Sequence, residues 1–216
     1  MLLAGLLAGC SKDEEILCVT PEPDTLAFFT KRHSPPVQVF EFDPTRPQVL
    51  RTAGGATLTI KANSFSRPDS SLPRGPVRML LQEVYTPADM LLANVPTMSW
   101  RNEPLESGGE FNIRVMEGRD RLTLYQALFT GMRLKARVPA RLSTQNTMYQ
   151  WLRMVRWDNP DSVYWYPQET GSRERVAVTT TVDSATLNYH IKQWPDSLGW
   201  INCNAYPELV PKLPNV

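Results

Sequence analysis

Proline and glycine interrupt this chain at short intervals, and their spacing limits how long any regular element can be. The 216 residues include 19 prolines and 11 glycines. Proline breaks helices and removes a donor from sheets, and glycine weakens the interior of both. The runs between these residues are short, and several alternate apolar with polar side chains. The sequence therefore predicts many short β-strands joined by turns, and few long helices.

Alternating runs locate the predicted strands. At residues 37–42, Phe40 and Phe42 fall on one face of an extended chain and Val39 falls on the other. The strongest strand prediction is the apolar run at residues 77–85, which follows a Gly-Pro pair. The other predicted strands lie at residues 56–60, 97–100, 110–115, 122–125, 132–138, 163–166, 175–182 and 186–191. Strands of this number and spacing predict an all-β fold, an antiparallel β-sandwich rather than a barrel or an α/β sheet.

One short helix is predicted after the central strand. Thr86 has the side chain of a helix N-cap, Pro87 suits the first helical position, and Asp89 places a carboxylate where backbone N–H groups are free. Asn94, with a proline two residues later, ends the pattern, so the helix is expected to run through Ala93.

The composition divides the chain into four parts. Residues 1–9 are expected to be a truncated signal peptide, and residues 10–36 a lipidated, proline-broken tether. Residues 37–138 carry the predicted sandwich domain. Tyrosine and tryptophan become frequent after Pro139, which predicts a smaller aromatic-rich β subdomain at residues 139–216. The alternative is that the strands after Pro139 extend the first sandwich.

Charge and motif content exclude several classes of function. The 23 basic and 22 acidic residues nearly balance, so no overall positive field would attract nucleic acid. His33 and His190 lack zinc-ligand spacing, and the sequence contains no nucleophile elbow, phosphate-binding glycine loop or dinucleotide fingerprint. No apolar run reaches the roughly 20 residues of a membrane-spanning helix. We therefore expect no enzymatic activity, no metal site and no cofactor apart from a covalent lipid.

The N-terminal residues indicate attachment to a membrane through that lipid. Leu7-Ala8-Gly9-Cys10 follows an apolar run and has the small-small-Cys order of a bacterial lipoprotein cleavage box. A peptidase can approach the backbone at the small residues, and the Cys10 thiol accepts a diacylglycerol group. No lysine or arginine precedes Cys10, which is why the signal is interpreted as truncated at its start. The alternative is an apolar N-terminus that packs against the domain.

A short charged segment follows Cys10. It consists of Ser11, Lys12, Asp13, Glu14 and Glu15. This segment resembles the Lys-plus-acidic export signal that follows the lipidated cysteine in surface-exposed lipoproteins of Bacteroidetes-type bacteria. The resemblance implies an outer-membrane protein that faces the cell exterior. The alternative is a periplasm-facing anchor, with charges that only keep a tether solvated.

Several segments of the folded part share motifs with a known type of sandwich. They are residues 54–65, 75–84, 85–90, 105–111 and 198–203. In this order they resemble the β-sandwich domain shared by ankyrins, netrin receptors and zonula-occludens proteins, and more closely a group of uncharacterised Bacteroidetes lipoproteins. Lys61 departs from the proline that is usual in that group. Some relatives of the domain cut themselves at a His-Phe-Ser or His-Tyr-Ser site, which this chain lacks, so the resemblance does not imply self-cleavage.

Two cysteines remain once Cys10 carries lipid. Cys18 and Cys203 could form a disulfide in an envelope compartment, and the bond would join the tether to the C-terminal segment. The alternative is that both are buried thiols.

One strand is a candidate for contacting a ligand. Arg133, Lys135 and Arg137 alternate with apolar residues, so a strand there would have one basic face and one apolar face. The basic face could meet the phosphates of surface lipid or an acidic glycan. The alternative is an ordinary solvent face, or protection of a sheet edge against aggregation.

Aromatic residues offer a second candidate contact. Trp151, Trp157 and Trp165 have flat faces that could stack on sugar rings. The alternative is that they supply buried area to a small β core.

Acidic residues offer weaker candidates. Asp158 and Asp161 stand in a turn where calcium could bind, but the spacing of a dedicated calcium loop is missing, which favours a solvated turn. Glu103 and Glu106 could act as a general acid and base, although only their charge supports this.

The sequence thus predicts a lipid-anchored envelope protein, exposed on the cell surface, that binds or scaffolds other molecules without catalysis. Its expected partners are the membrane, envelope proteins or a surface glycan, and not nucleic acid. The alternatives are a glycan-binding accessory lipoprotein with exposed aromatic side chains, and a hydrolase with an unrecognised site.

Overall fold

A computed structural model of the chain describes nine ranges of its residues. The described residues are 32–95, 97–99, 101–125, 131–137, 149–155, 163–167, 179–183, 186–191 and 198–205. Thirteen strands and one helix lie within these ranges. The strands are β1 (Val37–Phe42), β2 (Gln48–Arg51), β3 (Thr57–Ile60), β4 (Phe65–Ser66), β5 (Val77–Val84), β6 (Glu106–Glu117), β7 (Asp120–Leu124), β8 (Met132–Arg137), β9 (Tyr149–Val155), β10 (Val163–Pro167), β11 (Thr179–Asp183), β12 (Thr186–Ile191) and β13 (Trp200–Ala205). The helix is α1 (Pro87–Leu92).

The strands form two antiparallel sheets. The larger sheet has the order β1-β5-β6-β13-β9-β10, with β7 also paired to β6 and the short β4 paired to β7. The smaller sheet has the order β11-β12-β8-β3-β2. Every strand pair in both sheets is antiparallel. The all-β, antiparallel prediction is confirmed.

The main hydrophobic core lies between the two sheets. Met79, Leu81 and Ile113 of the larger sheet belong to one buried cluster with Leu58 and Leu134 of the smaller sheet. These residues occupy every second position of their strands, which places them on one face of each sheet. The arrangement is that of a sandwich, in which each sheet buries one face against the other.

The face of the larger sheet that points away from this core is partly covered as well. Val95, Leu105 and Trp165 form a second buried cluster, with Ala93 and Trp200 packed against it. The backbone N–H of Trp165 donates to the carbonyl of Met98 at 2.8 Å, which attaches the chain after α1 to β10. This part of the larger sheet is therefore buried on both faces.

The helix begins where the sequence predicts. The Thr86 hydroxyl accepts a hydrogen bond from the backbone N–H of Asp89 at 3.1 Å, and Pro87 occupies the first turn. Ala93 is the C-cap, and Asn94 follows with a φ of 54°, a left-handed conformation that asparagine tolerates well. Both ends are fixed by local side-chain chemistry, which explains why the sequence alone located them.

The strands after Pro139 join both sheets. β9, β10 and β13 extend the larger sheet, and β11 and β12 extend the smaller one. The division of the chain into a sandwich domain at residues 37–138 and a subdomain at residues 139–216 stays a prediction.

Four strands of the structure are absent from the sequence prediction, and one predicted strand differs. The absent strands are β2, β4, β9 and β13. β2 and β4 have only four and two residues, and β13 carries two asparagines. At residues 97–99 the chain makes only isolated bridges, from Met98 to Pro104 and from Ser99 to Trp165. The segment therefore contacts β10 at the edge of the larger sheet through a single bridge and is not a full strand.

Candidate functional site

The outer face of the smaller sheet carries the basic residues singled out in β8. Arg133 and Arg137 are exposed and Lys135 is half-buried, whereas Met132, Leu134 and Ala136 are buried in the core. The strand therefore has one basic face and one apolar face. β8 lies inside the smaller sheet, between β3 and β12. It is not an edge strand, so its charges do not protect a sheet edge.

Neighbouring strands add residues to the same face. In the β3–β8 register Thr59 lies opposite Arg133 and Thr57 opposite Lys135. In the β2–β3 register Arg51 lies opposite Thr57, so Arg51 joins the row of Lys135. The backbone N–H of Lys61 donates to the carbonyl of Gly131 at 2.7 Å, which extends the β3–β8 ladder to a further lysine. We call the outer surface formed by Val49, Arg51, Thr57, Thr59, Lys61, Arg133, Lys135 and Arg137 the basic face.

The basic face concentrates positive charge that the whole chain does not have. The formal net charge of the chain is only +1. None of the side chains that the structure describes on this face is acidic. Alternate residues of a strand are about 6.7 Å apart, so Lys135 lies within a Debye length of both Arg133 and Arg137. Their fields therefore add, and the face favours an anionic ligand.

A buried carboxylate joins the two sheets at one end of the sandwich. Oε1 of Glu83, on β5, accepts hydrogen bonds from the hydroxyls of Thr52 at 2.6 Å and Tyr85 at 2.7 Å. Oε2 accepts from the side-chain amide of Gln38 at 2.7 Å and from the backbone N–H of Gly54 at 2.9 Å. We call these five residues the Glu83 network. All four bonds use the carboxylate as acceptor, so the network fixes the β2–β3 turn against the larger sheet.

Gly54 is required by the Glu83 network. A Cβ atom at Gly54 would lie 2.5 Å from Cε2 of Tyr85 and 2.9 Å from both carboxylate oxygens of Glu83. Neither neighbour can move freely, because the hydroxyl and the carboxylate are held by hydrogen bonds to each other. At Gly55 the same atom would meet nothing within 4 Å, but the backbone φ is +90°.

Gly54→Ala is expected to lower the free energy of unfolding by about 2 to 3 kcal/mol, because of overpacking against Tyr85 and Glu83. The matched substitution Gly55→Ala is expected to cost only about 1 kcal/mol, from its positive φ alone. Urea denaturation followed by tryptophan fluorescence measures both values. Equal losses in the two variants would contradict the assigned packing.

A second buried polar group lies on the other face of the larger sheet. Glu110 and Asn202 are opposite each other on β6 and β13, and Oε1 of Glu110 accepts from the Asn202 amide at 2.7 Å. The Asn202 Oδ1 in turn accepts from the Ser107 hydroxyl at 2.8 Å. Asn204 lies opposite Ser107, across an irregularity in the pairing where Gly109 has a φ of 141°. We call Ser107, Glu110, Asn202 and Asn204 the Glu110 cluster.

The Glu110 cluster is completely buried but not completely hydrogen-bonded. Glu110, Asn202 and Asn204 have no exposed surface. Within the described part of the chain, Oε2 of Glu110 and both amide atoms of Asn204 have no hydrogen-bond partner. Removal from water raises the pKa of Glu110 to about 9, so its side chain is a neutral carboxylic acid at pH 7. The cluster contains no nucleophile with a base beside it, and we assign it to structure.

Cys203 is a free thiol that faces the core between the sheets. It is fully buried in the main hydrophobic cluster, and burial raises the pKa of its thiol far above the usual range. A thiol of this kind is inert as a nucleophile. Cys18 lies outside the described residues, so a Cys18–Cys203 disulfide stays a prediction.

Of the three tryptophans predicted to contact sugars, Trp165 does not reach the surface. Trp165 is 0% exposed and belongs to the second cluster, so its ring cannot stack on a ligand, and that prediction is wrong. The reason is the cover provided by the chain after α1. The side chain of Trp151, on β9, and the whole of Trp157 lie outside the described part.

Other predicted residues are dispersed or outside the description. Glu103 is exposed, and Glu106 is half-buried at the start of β6. The calcium candidates Asp158 and Asp161 lie outside the described residues, as do Cys10 and the export segment at residues 11–15. Across the described residues, no three His, Cys, Asp or Glu side chains meet where they could hold a metal ion.

The sequence contains a signal for one of these features and none for the other. Glu83 continues the inward positions 77, 79 and 81 of β5, so an alternating strand places its carboxylate inside the sandwich. The sequence alone does not show that Arg51 and Lys61 share a face with Arg133, because the register of β2, β3 and β8 is set by pairing between distant segments.

In the described ranges no helix is both long and apolar enough to cross a bilayer. Comparison of the chain with models of known protein families, with curated proteins and with solved structures finds no match.

Proposed function

We propose that this protein is a lipid-anchored protein of the bacterial envelope, exposed on the cell surface, whose sandwich is a non-catalytic binding or scaffolding module. The observation that carries the proposal is the Leu7-Ala8-Gly9-Cys10 motif, followed directly by Lys12 and three acidic residues. Cys10 would carry the diacylglycerol, and the following segment would direct the protein to the outer face of the outer membrane.

The way the chain enters the sandwich fits a tethered module. The side-chain amide of Gln82 donates to the Ser34 hydroxyl at 2.9 Å and to the Pro35 carbonyl at 2.7 Å, immediately before β1. These bonds fix the entry point on β5 of the larger sheet. The chain between Cys10 and Ser34 can span at most about 80 Å, so it could hold the sandwich away from a bilayer.

The proposed binding surface is separate from this entry point. The tether enters at the larger sheet, whereas the basic face belongs to the smaller sheet, on the opposite side of the core. A module anchored in this way could therefore keep the basic face available to other molecules. This arrangement supports a binding role, and the resemblance to uncharacterised Bacteroidetes lipoproteins supports the location.

Cys10→Ala is expected to abolish membrane attachment, because no other cysteine stands in a cleavage box. The full chain would be produced in a Gram-negative bacterium that exports lipoproteins, labelled with an alkyne fatty acid, and separated into soluble and membrane fractions. Cys18→Ala is the matched control, and it should keep both the label and the membrane fraction. Unchanged fractionation of the Cys10→Ala protein would refute the anchor.

The leaflet is tested in the same cells by adding protease to intact bacteria. The wild-type protein should be digested while a periplasmic marker survives. A variant with alanine at residues 12–15 should keep its lipid and become protected. Equal digestion of both proteins would contradict the role of the charged segment as an export signal.

A further inference from the structure

We propose that the basic face binds a linear acidic glycan, a polymer that carries carboxylate or sulfate groups at regular intervals. The inference deepens the proposed function and rests on it, since an anchored module on a cell surface is surrounded by such polymers. It assigns the ligand to one side of the smaller sheet and not to Trp151, Trp157 or Trp165.

The charges of the basic face follow a line that suits a linear polymer. Arg133, Lys135 and Arg137 are successive outward positions of β8, about 6.7 Å apart. Arg133 and Arg137 are exposed, so their guanidinium groups can form paired hydrogen bonds with a carboxylate or sulfate. A chain lying along β8 could therefore contact several cations at once, and repeated weak contacts would give useful affinity.

Hydroxyl groups lie beside this line of charges. Thr57 and Thr59 of β3 are directly opposite Lys135 and Arg133. Thr59 is exposed and Thr57 is half-exposed, so both can hydrogen-bond the hydroxyls that fill the space between acidic groups in a glycan. Arg51, in the next strand, widens the face and allows the polymer a second contact.

The composition of the basic face favours a glycan over a bilayer. Proteins that lie on anionic membranes insert apolar side chains beside their cations. On the described part of the basic face Val49 is the apolar residue, and it stands on the outermost strand, β2, away from β8. In the pairing register one row runs from Arg133 through Thr59 to Val49, and the next from Lys135 through Thr57 to Arg51, so Val49 is the one apolar side chain described in these two rows. Such a surface offers charge and hydrogen bonds but little to bury in lipid.

Two pairs of arginine substitutions test the proposal. Arg133→Gln with Arg137→Gln removes two exposed charges from the basic face. Arg78→Gln with Arg114→Gln removes two exposed charges from the outer face of the larger sheet and is the matched control. Both pairs would be made in the full chain carrying Cys10→Ala, so that no lipid interferes, with circular dichroism and thermal unfolding to confirm the fold.

Binding would be measured by isothermal titration calorimetry against polygalacturonate, heparin and neutral dextran, at two salt concentrations. We expect the unaltered face to bind at least one acidic polymer and not dextran, with weaker binding at higher salt. The basic-face pair should weaken binding by about tenfold and the control pair by less than about twofold. Equal weakening by both pairs, or binding of neither polymer, would overturn the inference.

Vesicles of anionic phospholipid form the remaining arm of the experiment. Binding to these vesicles without binding to either acidic polymer would also overturn the glycan proposal. Loss of polymer binding with retained Cys10-dependent attachment would remove this inference and leave the anchored module standing. Polymer binding without attachment through Cys10 would remove the anchor and leave the glycan-binding face standing. The two failures can therefore be told apart.

Discussion

Glu83→Ala is expected to lower the free energy of unfolding by about 4 kcal/mol. The substitution leaves the hydroxyl of Thr52, the amide of Gln38 and the backbone N–H of Gly54 without their common acceptor. These three bonds are buried or part-buried, and a hydrogen bond to a charged group contributes about 1.5 to 3 kcal/mol, so their joint loss supports a value of about 4 kcal/mol. Replacing an ordinary surface carboxylate should cost almost none of this free energy of unfolding.

Glu41→Ala is the matched control, because Glu41 is an exposed carboxylate on the neighbouring strand β1. It is expected to change stability by less than about 0.5 kcal/mol. Glu83→Gln keeps the volume but presents an amide N–H₂ group to donors, so it should be destabilised by about 2 to 3 kcal/mol. Urea denaturation measures all three proteins. A loss below about 1 kcal/mol in Glu83→Ala would show that the turn is held by other contacts.

Glu110→Gln is expected to make the protein more stable than the wild type at alkaline pH, by several kcal/mol near pH 9. Burial raises the pKa of Glu110 from 4.5 to about 9 in the folded protein. The folded state therefore keeps a proton that the unfolded chain releases. Stability linked to this proton is complete below pH 4.5 and is lost as the pH rises to about 9. Within this window the free energy of unfolding of the wild type falls by up to about 1.4 kcal/mol for each pH unit.

Glutamine has the shape of the neutral acid and no proton to release, so the variant should lose this pH dependence. Its stability should match that of the wild type at about pH 4.5 and diverge steadily above it. Urea denaturation at several pH values between about 5 and 9 gives the comparison. Glu103→Gln, an exposed carboxylate in the turn before β6, is the matched control and should leave the wild-type slope unchanged. Parallel curves for Glu110→Gln and the wild type would contradict a buried neutral acid.

Features of the fold that depend on neighbouring residues were predictable from the sequence. The two faces of β1 follow from alternation, and Phe42 is buried while Val39 is exposed, as the pattern predicts. The start of α1 follows from the Thr86 cap and Pro87. Both depend on interactions within a few residues of the chain, which a single sequence records directly.

Features that depend on distant pairing were not predictable. β13 was missed because Asn202 and Asn204 are polar, yet both are fully buried on the outer face of the larger sheet. Only the pairing of β13 with β6 brings Asn202 to Glu110, across 92 positions of the chain. The basic face has the same origin, since Arg51 meets the β8 row through the register of three strands. Burial of Trp165 likewise depends on the chain after α1.

The position of β13 has a consequence for biogenesis. This strand, the last in the described part of the chain, lies between β6 and β9 in the interior of the larger sheet. During synthesis the nascent polypeptide therefore cannot close that sheet until β13 has left the ribosome. Pairings between distant segments also form slowly. Both effects would keep the newly made polypeptide open for longer than a sheet built only from strands adjacent in sequence.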